Sequence, residues 1–235
     1  MENITLLNVK DQEQAAQQVC KMIQGQLDEG KLDVLGLATG STMIPIYKKW
    51  VESELSFEKV TTFNLDEYVG LHAENKNSYA YFMQEHLFSK KKFKRSFIPN
   101  GVANNLEEEC AAYEKRLREY PLDVQLLGIG ENGHIAFNEP GTSFDSVTHL
   151  TTLTESTLGV NSTFFDPDET IPRTALTMGI SSVLAAKKII LIAFGERKRF
   201  ALEKLLEGKE TVEYPVTALN GHGDVTVITD LGYLI

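Results

Sequence analysis

Disulfide staples are missing from this chain. Its 235 residues include two cysteines, Cys20 and Cys110. Both lie in helical patterns, neither has zinc-ligand spacing, and both read as free, buried thiols. Long apolar runs are missing too. No stretch reaches the roughly 20 residues that a membrane-spanning helix needs. Met1-Glu2-Asn3 opens no basic and apolar leader, so the expected compartment is the cytoplasm. Positive charge is scarce: 23 Lys and Arg stand against 33 Asp and Glu, a net charge of -10. That balance excludes nonspecific attraction to nucleic acid or an anionic membrane. The one basic run, Lys90-Lys91-Lys92-Phe93-Lys94-Arg95, is flanked by acidic segments and reads as a solvated loop. There is no internal repeat, low-complexity tract or linker, so residues 1–235 are expected to form one domain.

What is present is an alternation of strands and helices. Ile4 to Leu7 reads as a first strand. Asp11 caps a helix whose apolar positions Ala15, Val19, Met22, Ile23 and Leu27 follow a 3.6-residue period, and Gly30 ends it. Leu32 to Leu37 is a nearly continuous apolar run, as in a strand buried on both faces. A helix over Met43 to Leu55, a strand over Val60 to Asn64 and a helix over Ser78 to Phe88 follow. Asn104-Asn105 leads into a helix over Leu106 to Arg118, with acids in its first turn and bases in its last. Val124 to Leu127 is a buried strand. Thr142 to Thr174 is polar and weakly periodic, and reads as loops with a short helix or strand covering a site. Thr177 to Ala185 reads as a helix, Lys188 to Phe194 as a strand and Arg197 to Leu206 as a helix closed by Gly208. Pro215 to Ala218 and Val225 to Thr229 read as short strands. This order predicts an α/β fold: an open, mostly parallel, doubly wound (Rossmann-like) sheet with helices on both faces.

Chemistry is concentrated in the loops that leave the strands, where open α/β sheets place their sites. Ala38-Thr39-Gly40-Ser41-Thr42 puts a glycine and three hydroxyls between a strand and a helix start. This suits a phosphate held on free N–H groups without a Walker lysine, and equally an ordinary cap by Ser41 or Thr42. Phe63-Asn64-Leu65-Asp66-Glu67-Tyr68 carries paired acids, readable as a general base with its support, as metal ligands or as solvated charge. The scarcity of nearby His and Asp argues against a metal. Gly128-x-Gly130-x-x-Gly133 fits a dinucleotide fingerprint, with Glu155 near the spacing of a ribose acid. Asn138-Glu139-Pro140-Gly141 breaks the chain where that fingerprint needs a helix, so the nucleotide reading fails. There remain His134, Glu139 five residues on and Asn132 two before: an imidazole with a carboxylate to orient it. Gly195-Glu196-Arg197-Lys198-Arg199 follows another strand and offers either a cation at the same sheet edge or solvated bases at a helix start. His72, His149 and His222 fall in expected loops and read as surface residues. His86 reads as helix packing.

Taken together, these stretches resemble the glucosamine-6-phosphate deaminase (isomerase) family. The resemblance runs from about Leu35 to Leu206 through Leu35–Thr42, Phe63–Leu71, Gly133–Pro140, Ala175-Leu176-Thr177-Met178-Gly179 and the Lys198 loop, in family order. It implies conversion of an amino-sugar 6-phosphate and water to a ketose 6-phosphate and ammonia, with no cofactor and no metal. Asp66 is then the base that moves a proton from C2 to C1. His134 assists ring opening, oriented by Glu139 and supported by Asn132. Thr39, Gly40, Ser41, Thr42 and Lys198 hold the phosphate, and Glu67 is grouped with the substrate-binding residues. Two departures bear on these expectations. Many members have Asp at the position of Asn132, and some have a phosphate-binding Arg at that of Thr163. The allosteric basic positions of longer hexameric members match Thr142, His149 and Thr151, and their C-terminal extension is missing. The expected partner is therefore a small-molecule amino-sugar phosphate. The expected assembly is a monomer or small homo-oligomer, not an allosteric hexamer. A galactosamine 6-phosphate deaminase and a 6-phosphogluconolactonase are the rival enzymes. A noncatalytic sugar-phosphate sensor is the rival of another class, and it lacks room here for a DNA-binding domain.

Overall fold

The computed structural model describes residues 3–162, 165–166 and 169–232. Thr163, the position matched to a family Arg, lies outside the described residues. Seven strands form one parallel sheet: β1 (Ile4–Asn8), β2 (Val34–Leu37), β3 (Phe57–Asn64), β5 (Phe93–Phe97), β6 (Val124–Leu127), β9 (Lys188–Ala193) and β10 (Val225–Thr229). Their order across the sheet is β1-β10-β9-β6-β2-β3-β5. The chain starts at one edge, crosses to β2 in the middle, winds outward to β5, then returns beside β2 as β6 and winds back. The direction of winding reverses between β2 and β6. Open α/β sheets form a crevice at such a reversal, outside the carboxyl ends of the strands.

The central strands are buried on both faces. Every residue of β2, β6 and β10 is buried, so covering helices are needed on each side. Helix α1 (Gln12–Asp28) starts at Asp11, whose carboxylate accepts from the Gln14 N–H. It packs with α2 (Ile44–Glu52). Helix α3 (Tyr79–Met83) runs into a π turn over Gln84–Phe88, and α4 (Leu106–Glu119) starts at its Asn105 cap. The remaining helices are α5 (Glu155–Asn161), α6 (Ile180–Leu184) and α7 (Arg199–Leu206). Buried tyrosines brace the strand ends. The Tyr47 hydroxyl donates to the Ala38 carbonyl, and the Tyr113 hydroxyl donates to the Asn64 carbonyl at 2.6 Å.

A second sheet of three antiparallel strands lies apart from the first. Its order is β4 (Asp66–Tyr68), β8 (Thr174–Thr177), β7 (His149–Thr152). It carries its own small apolar cluster of Tyr68, Phe137, Leu153, Leu158 and Ala175.

Four expectations change. The basic run is not wholly a loop: Phe93 to Phe97 forms the edge strand β5. Phe93 and Phe97 stack on Phe57 and Phe63, with ring centroids 5.0 and 4.8 Å apart, while Lys94 and Arg95 face solvent. Charges on an edge strand deter pairing with other chains. Thr177 ends a strand instead of opening a helix, because Thr174 to Thr177 pair with both β4 and β7. Pro215 to Gly221 is a 3-10 helix, not a strand. His222 is buried: one ring nitrogen contacts the Ala186 carbonyl at 2.6 Å and the other accepts from the Asp224 N–H. The two cysteines are free; Cys110 is buried and Cys20 partly so.

Candidate active site

At the winding reversal the loops after β2, β3, β6 and β9 enclose a cavity of about 210 Å³. That volume lies below the usual range for drug-sized ligands and suits a small one. Thr39, Gly40, Ser41, Thr42, Asp66, His134 and Lys198 all line it. Each of those seven residues comes from a stretch the sequence had marked.

On one side lies the hydroxyl loop. Gly40 takes φ 100, which bends the chain into the mouth of the cavity. Helix α2 then starts at Met43 without any side-chain cap. Neither Ser41 nor Thr42 is spent as a cap, so hydroxyls and first-turn N–H groups are both left for an anion. Facing them is Lys198. Its neighbours are paired, Arg197 with Glu131 at 3.6 Å and Arg199 with Glu196 at 2.6 Å, which leaves Lys198 as the cation at the cavity wall. Burial holds its ammonium below the usual lysine range, with Glu131 pulling the other way.

Asp66, only 7% exposed, lies across the cavity. No hydrogen bond reaches its carboxylate among the described residues. Burial, and then the neighbouring Glu67, push its carboxyl well above the ordinary carboxylate range. Glu67 points elsewhere and does not line the cavity. Its carboxylate accepts backbone N–H groups of Tyr68, Tyr79 and Ala80 at 2.8 to 2.9 Å. Burial raises it to about 7 against the pull of those three donors. Glu67 therefore anchors β4 to the start of α3 and positions Asp66.

The third wall is the loop after β6. A Cβ on Gly130 would fall 2.2 Å from the His134 ring, so only glycine lets that ring lie against the backbone. The Asn132 Oδ1 accepts both the His134 backbone N–H at 3.2 Å and a contact from His134 Nδ1 at 2.7 Å. The Asn132 Nδ2 donates to Glu139 at 3.0 Å. A backbone N–H can only donate, so it fixes which end of the amide is oxygen. An oxygen facing Nδ1 then requires the proton on Nδ1, leaving Nε2 as the free base of the neutral ring. Burial lowers the His134 pKa, Glu139 opposes that fall, and Lys198 adds to it. The ring is neutral at pH 7 on that account. Asn132 and Glu139 do not line the cavity; they stand behind His134 as its supports.

Sequence reasoning missed the residues that come from the polar segment after Thr142. Thr157 lines the cavity and donates from its hydroxyl to Glu139. Tyr79 forms another part of the wall. Ala136 also lines the cavity, with φ 51, a conformation uncommon outside glycine. No motif announces Thr157 or Tyr79, and Ala136, inside the Gly133–Pro140 stretch, has no side-chain chemistry to single it out. Among the described residues no group of three His, Cys, Asp or Glu side chains is placed to hold a metal ion, and no helix is long and apolar enough to cross a membrane.

Known proteins share this arrangement at several levels of similarity. The family described as glucosamine-6-phosphate isomerases/6-phosphogluconolactonase matches residues 10–227. Glucosamine-6-phosphate deaminases of Lactobacillus johnsonii and Listeria monocytogenes are each 50% identical over 225 residues. These cover 96% of this chain and 94% and 96% of the relatives. A solved monomeric glucosamine-6-phosphate deaminase superimposes with a TM-score of 0.93 at 42% identity, covering 97% of both chains. The 6-phosphogluconolactonase of Thermotoga maritima shares the fold, with a TM-score of 0.76 at 20% identity over 97% of this chain. The doubly wound sheet, the loops that meet at its reversal and these similarities agree: the chain belongs to the glucosamine-6-phosphate isomerase/6-phosphogluconolactonase family.

Proposed function

We propose that residues 1–235 act as one sugar-phosphate domain, a glucosamine-6-phosphate deaminase of amino-sugar catabolism that yields fructose 6-phosphate and ammonia. The observation that carries the reading is Asp66, a buried carboxyl without a hydrogen bond among the described residues, in one small cavity with a neutral histidine and an anion cradle. The phosphate would sit on Thr39 to Thr42 against Lys198, as a dianion at a helix start favours. Nε2 of His134 would accept the proton of the anomeric hydroxyl and return one to the ring oxygen. Asn132 and Glu139 hold the tautomer this requires. The opened sugar has an aldehyde at C1 and an amine at C2. Asp66 would take the proton from C2, giving an enolamine as its enolate, and return it to C1, while a proton of the amine passes to the oxygen on C1 and leaves an imine at C2. Water adds to that imine, and ammonia leaves. Abstracting a proton from carbon demands a strong base, and desolvation makes the Asp66 carboxylate one.

The deaminase relatives support glucosamine as the sugar. The monomeric solved relative supports a monomer or small oligomer, and the kinetics expected of such an assembly are hyperbolic and unaffected by N-acetylglucosamine 6-phosphate. Cytoplasmic placement fits a phosphorylated substrate. The test is ammonia release from a panel of amino-sugar 6-phosphates. Glucosamine 6-phosphate should give the largest kcat/KM. A larger value for galactosamine 6-phosphate would reassign the epimer, and silence across the panel would overturn the reaction.

A further inference from the structure

Glu139 holds the far end of the chain of groups behind His134, and its two oxygens have different partners. Oε2 accepts from Asn132, within the same loop. Oε1 accepts from the Thr157 hydroxyl at 2.5 Å and from the Thr154 N–H at a long 3.4 Å. Thr157 lies in α5, beside Leu158, which belongs to the small second cluster and not to the main core. Its hydroxyl is not needed to start that helix. Thr154 does that, its Oγ1 accepting the Thr157 N–H at 3.3 Å. The Thr154 hydroxyl also points its proton at Thr157 Oγ1, at 3.2 Å. A hydroxyl has one proton, so the proton of Thr157 goes to Glu139. Thr157 is 4% exposed and, among the described residues, the one α5 residue at the cavity wall.

We propose that Thr157 is a positioning residue whose hydroxyl docks α5 onto Glu139 and, through Glu139 and Asn132, holds His134 in the Nδ1–H tautomer needed for ring opening. The segment over the site and the proton shuttle beneath it are then one device. Where α5 is docked, Glu139 is held at both oxygens, the Asn132 amide is held by Glu139, and Nε2 faces the sugar as a base. Where α5 lifts, Oε1 loses its short partner, and the Asn132 amide, still aligned by the His134 N–H, is held less firmly against Nδ1. Only the ring-opening step rests on the deaminase reading; the tautomer itself is a property of the resting protein.

Thr157→Val keeps the shape of the side chain and removes the donor, and Thr157→Ser keeps the donor and removes a methyl group. Three readouts separate positioning from packing. Long-range nitrogen–proton NMR of the resting protein should show His134 protonated at Nδ1 in the parent and in Thr157→Ser, and a mixture of tautomers in Thr157→Val. The kcat for ammonia release should fall about ten-fold in Thr157→Val, the scale of one hydrogen bond to a charged group, with KM nearly unchanged, and stay near the parent value in Thr157→Ser. Calorimetric binding of an acyclic amino-hexitol 6-phosphate, which needs no ring opening, should be the same in all three proteins. A pure Nδ1–H tautomer in Thr157→Val, or a kcat in Thr157→Ser as low as in Thr157→Val, overturns the proposal. A parent that releases no ammonia overturns the deaminase reading instead, while the tautomer measurement still decides the role of Thr157.

Discussion

Replacing Asp66 by Asn should make the protein more stable and nearly inactive, and the gain in stability should depend on pH. In the folded protein the Asp66 carboxyl titrates well above its ordinary value, because burial and Glu67 both disfavour the charge. A group raised in this way contributes its full stability below the unfolded carboxylate pKa of about 3.9 and loses it as pH rises through the folded value. Each unit of elevation corresponds to about 1.4 kcal/mol against the folded, ionised state. The Asn variant carries no such charge. Its Tm should match the parent near pH 4, exceed it progressively as pH rises, and level off above the folded pKa of Asp66. For a domain of this size the gain is about 2–4 °C for each kcal/mol. Glu67 titrates at about 7 in the parent, but it is present in both proteins and largely cancels in the difference. The assay is differential scanning calorimetry of both proteins at pH 4, 6 and 8, with ammonia release measured in parallel. Loss of the base should lower kcat by roughly 10²–10⁴-fold, with phosphate binding retained. Melting curves that stay parallel across pH would refute the claim that Asp66 is held in an unfavourable charge state, and parental turnover would refute its role as base.

Two further outcomes follow from the walls of the cavity. Gly130→Ala drives a Cβ into the His134 ring, so it should cost about 1–3 kcal/mol as overpacking does and displace the ring. Thermal unfolding should show a fall of several degrees, with a fall in kcat out of proportion to it. Lys198→Met removes the cation of the cavity wall, which has no ion pair among the described residues, worth about 1.5–3 kcal/mol in a charge-assisted contact. KM for the sugar phosphate should rise about 10- to 100-fold while kcat changes less, and inorganic phosphate should weaken in parallel as a competitive inhibitor.

The frame of this fold is readable in the sequence because its strands are short apolar runs, each followed by a polar loop. Val124 to Leu127 and Lys188 to Phe194 have no other home than the middle of a sheet. The cavity loops are readable for the same reason: each starts where an apolar run stops. The second sheet is not readable. Asp66 to Tyr68 is three residues long and acidic, and Thr174 to Thr177 carries two threonines. They become strands only because they pair with each other and with β7. Pro215 to Ala218 has the apolar content of a strand, but the Thr217 N–H donates back to the Tyr214 carbonyl and the Thr217 hydroxyl contacts the carbonyls of Thr211 and Tyr214, which closes a 3-10 turn. Glu67 shows the same limit at the level of one residue. Its type and position suggest a group facing substrate, whereas its oxygens are consumed by the backbone N–H of Tyr68 and two N–H groups at the start of α3. Thr157 is one hydroxyl in a segment with many, and only contact with Glu139 singles it out.

The fold is shared with lactonases, so the choice of reaction rests on what each chemistry asks of the site. Opening a phosphorylated lactone needs water activated by a base and an oxyanion stabilised for a moment. A histidine with a free Nε2 beside a phosphate cradle supplies the first of these, and His134 would do for either enzyme. Moving a hydrogen between adjacent carbons asks for more. The base must be strong enough to take a proton from carbon and must hold that proton, shielded from water, until it is returned one carbon away. A solvated carboxylate fails on both counts, being too weak and exchanging its proton with solvent. As the proposed base, Asp66 would meet both demands through burial, and that burial carries a cost in stability that a lactonase would have no use for. The same feature that makes Asp66→Asn stabilising is therefore what favours the deaminase over its structural neighbour. Isotope retention tests that shielding. In deuterated water an isomerase with a shielded base should leave part of the original C2 hydrogen at C1 of the ketose. Complete exchange would show that Asp66 is open to solvent and that its burial does not serve the transfer.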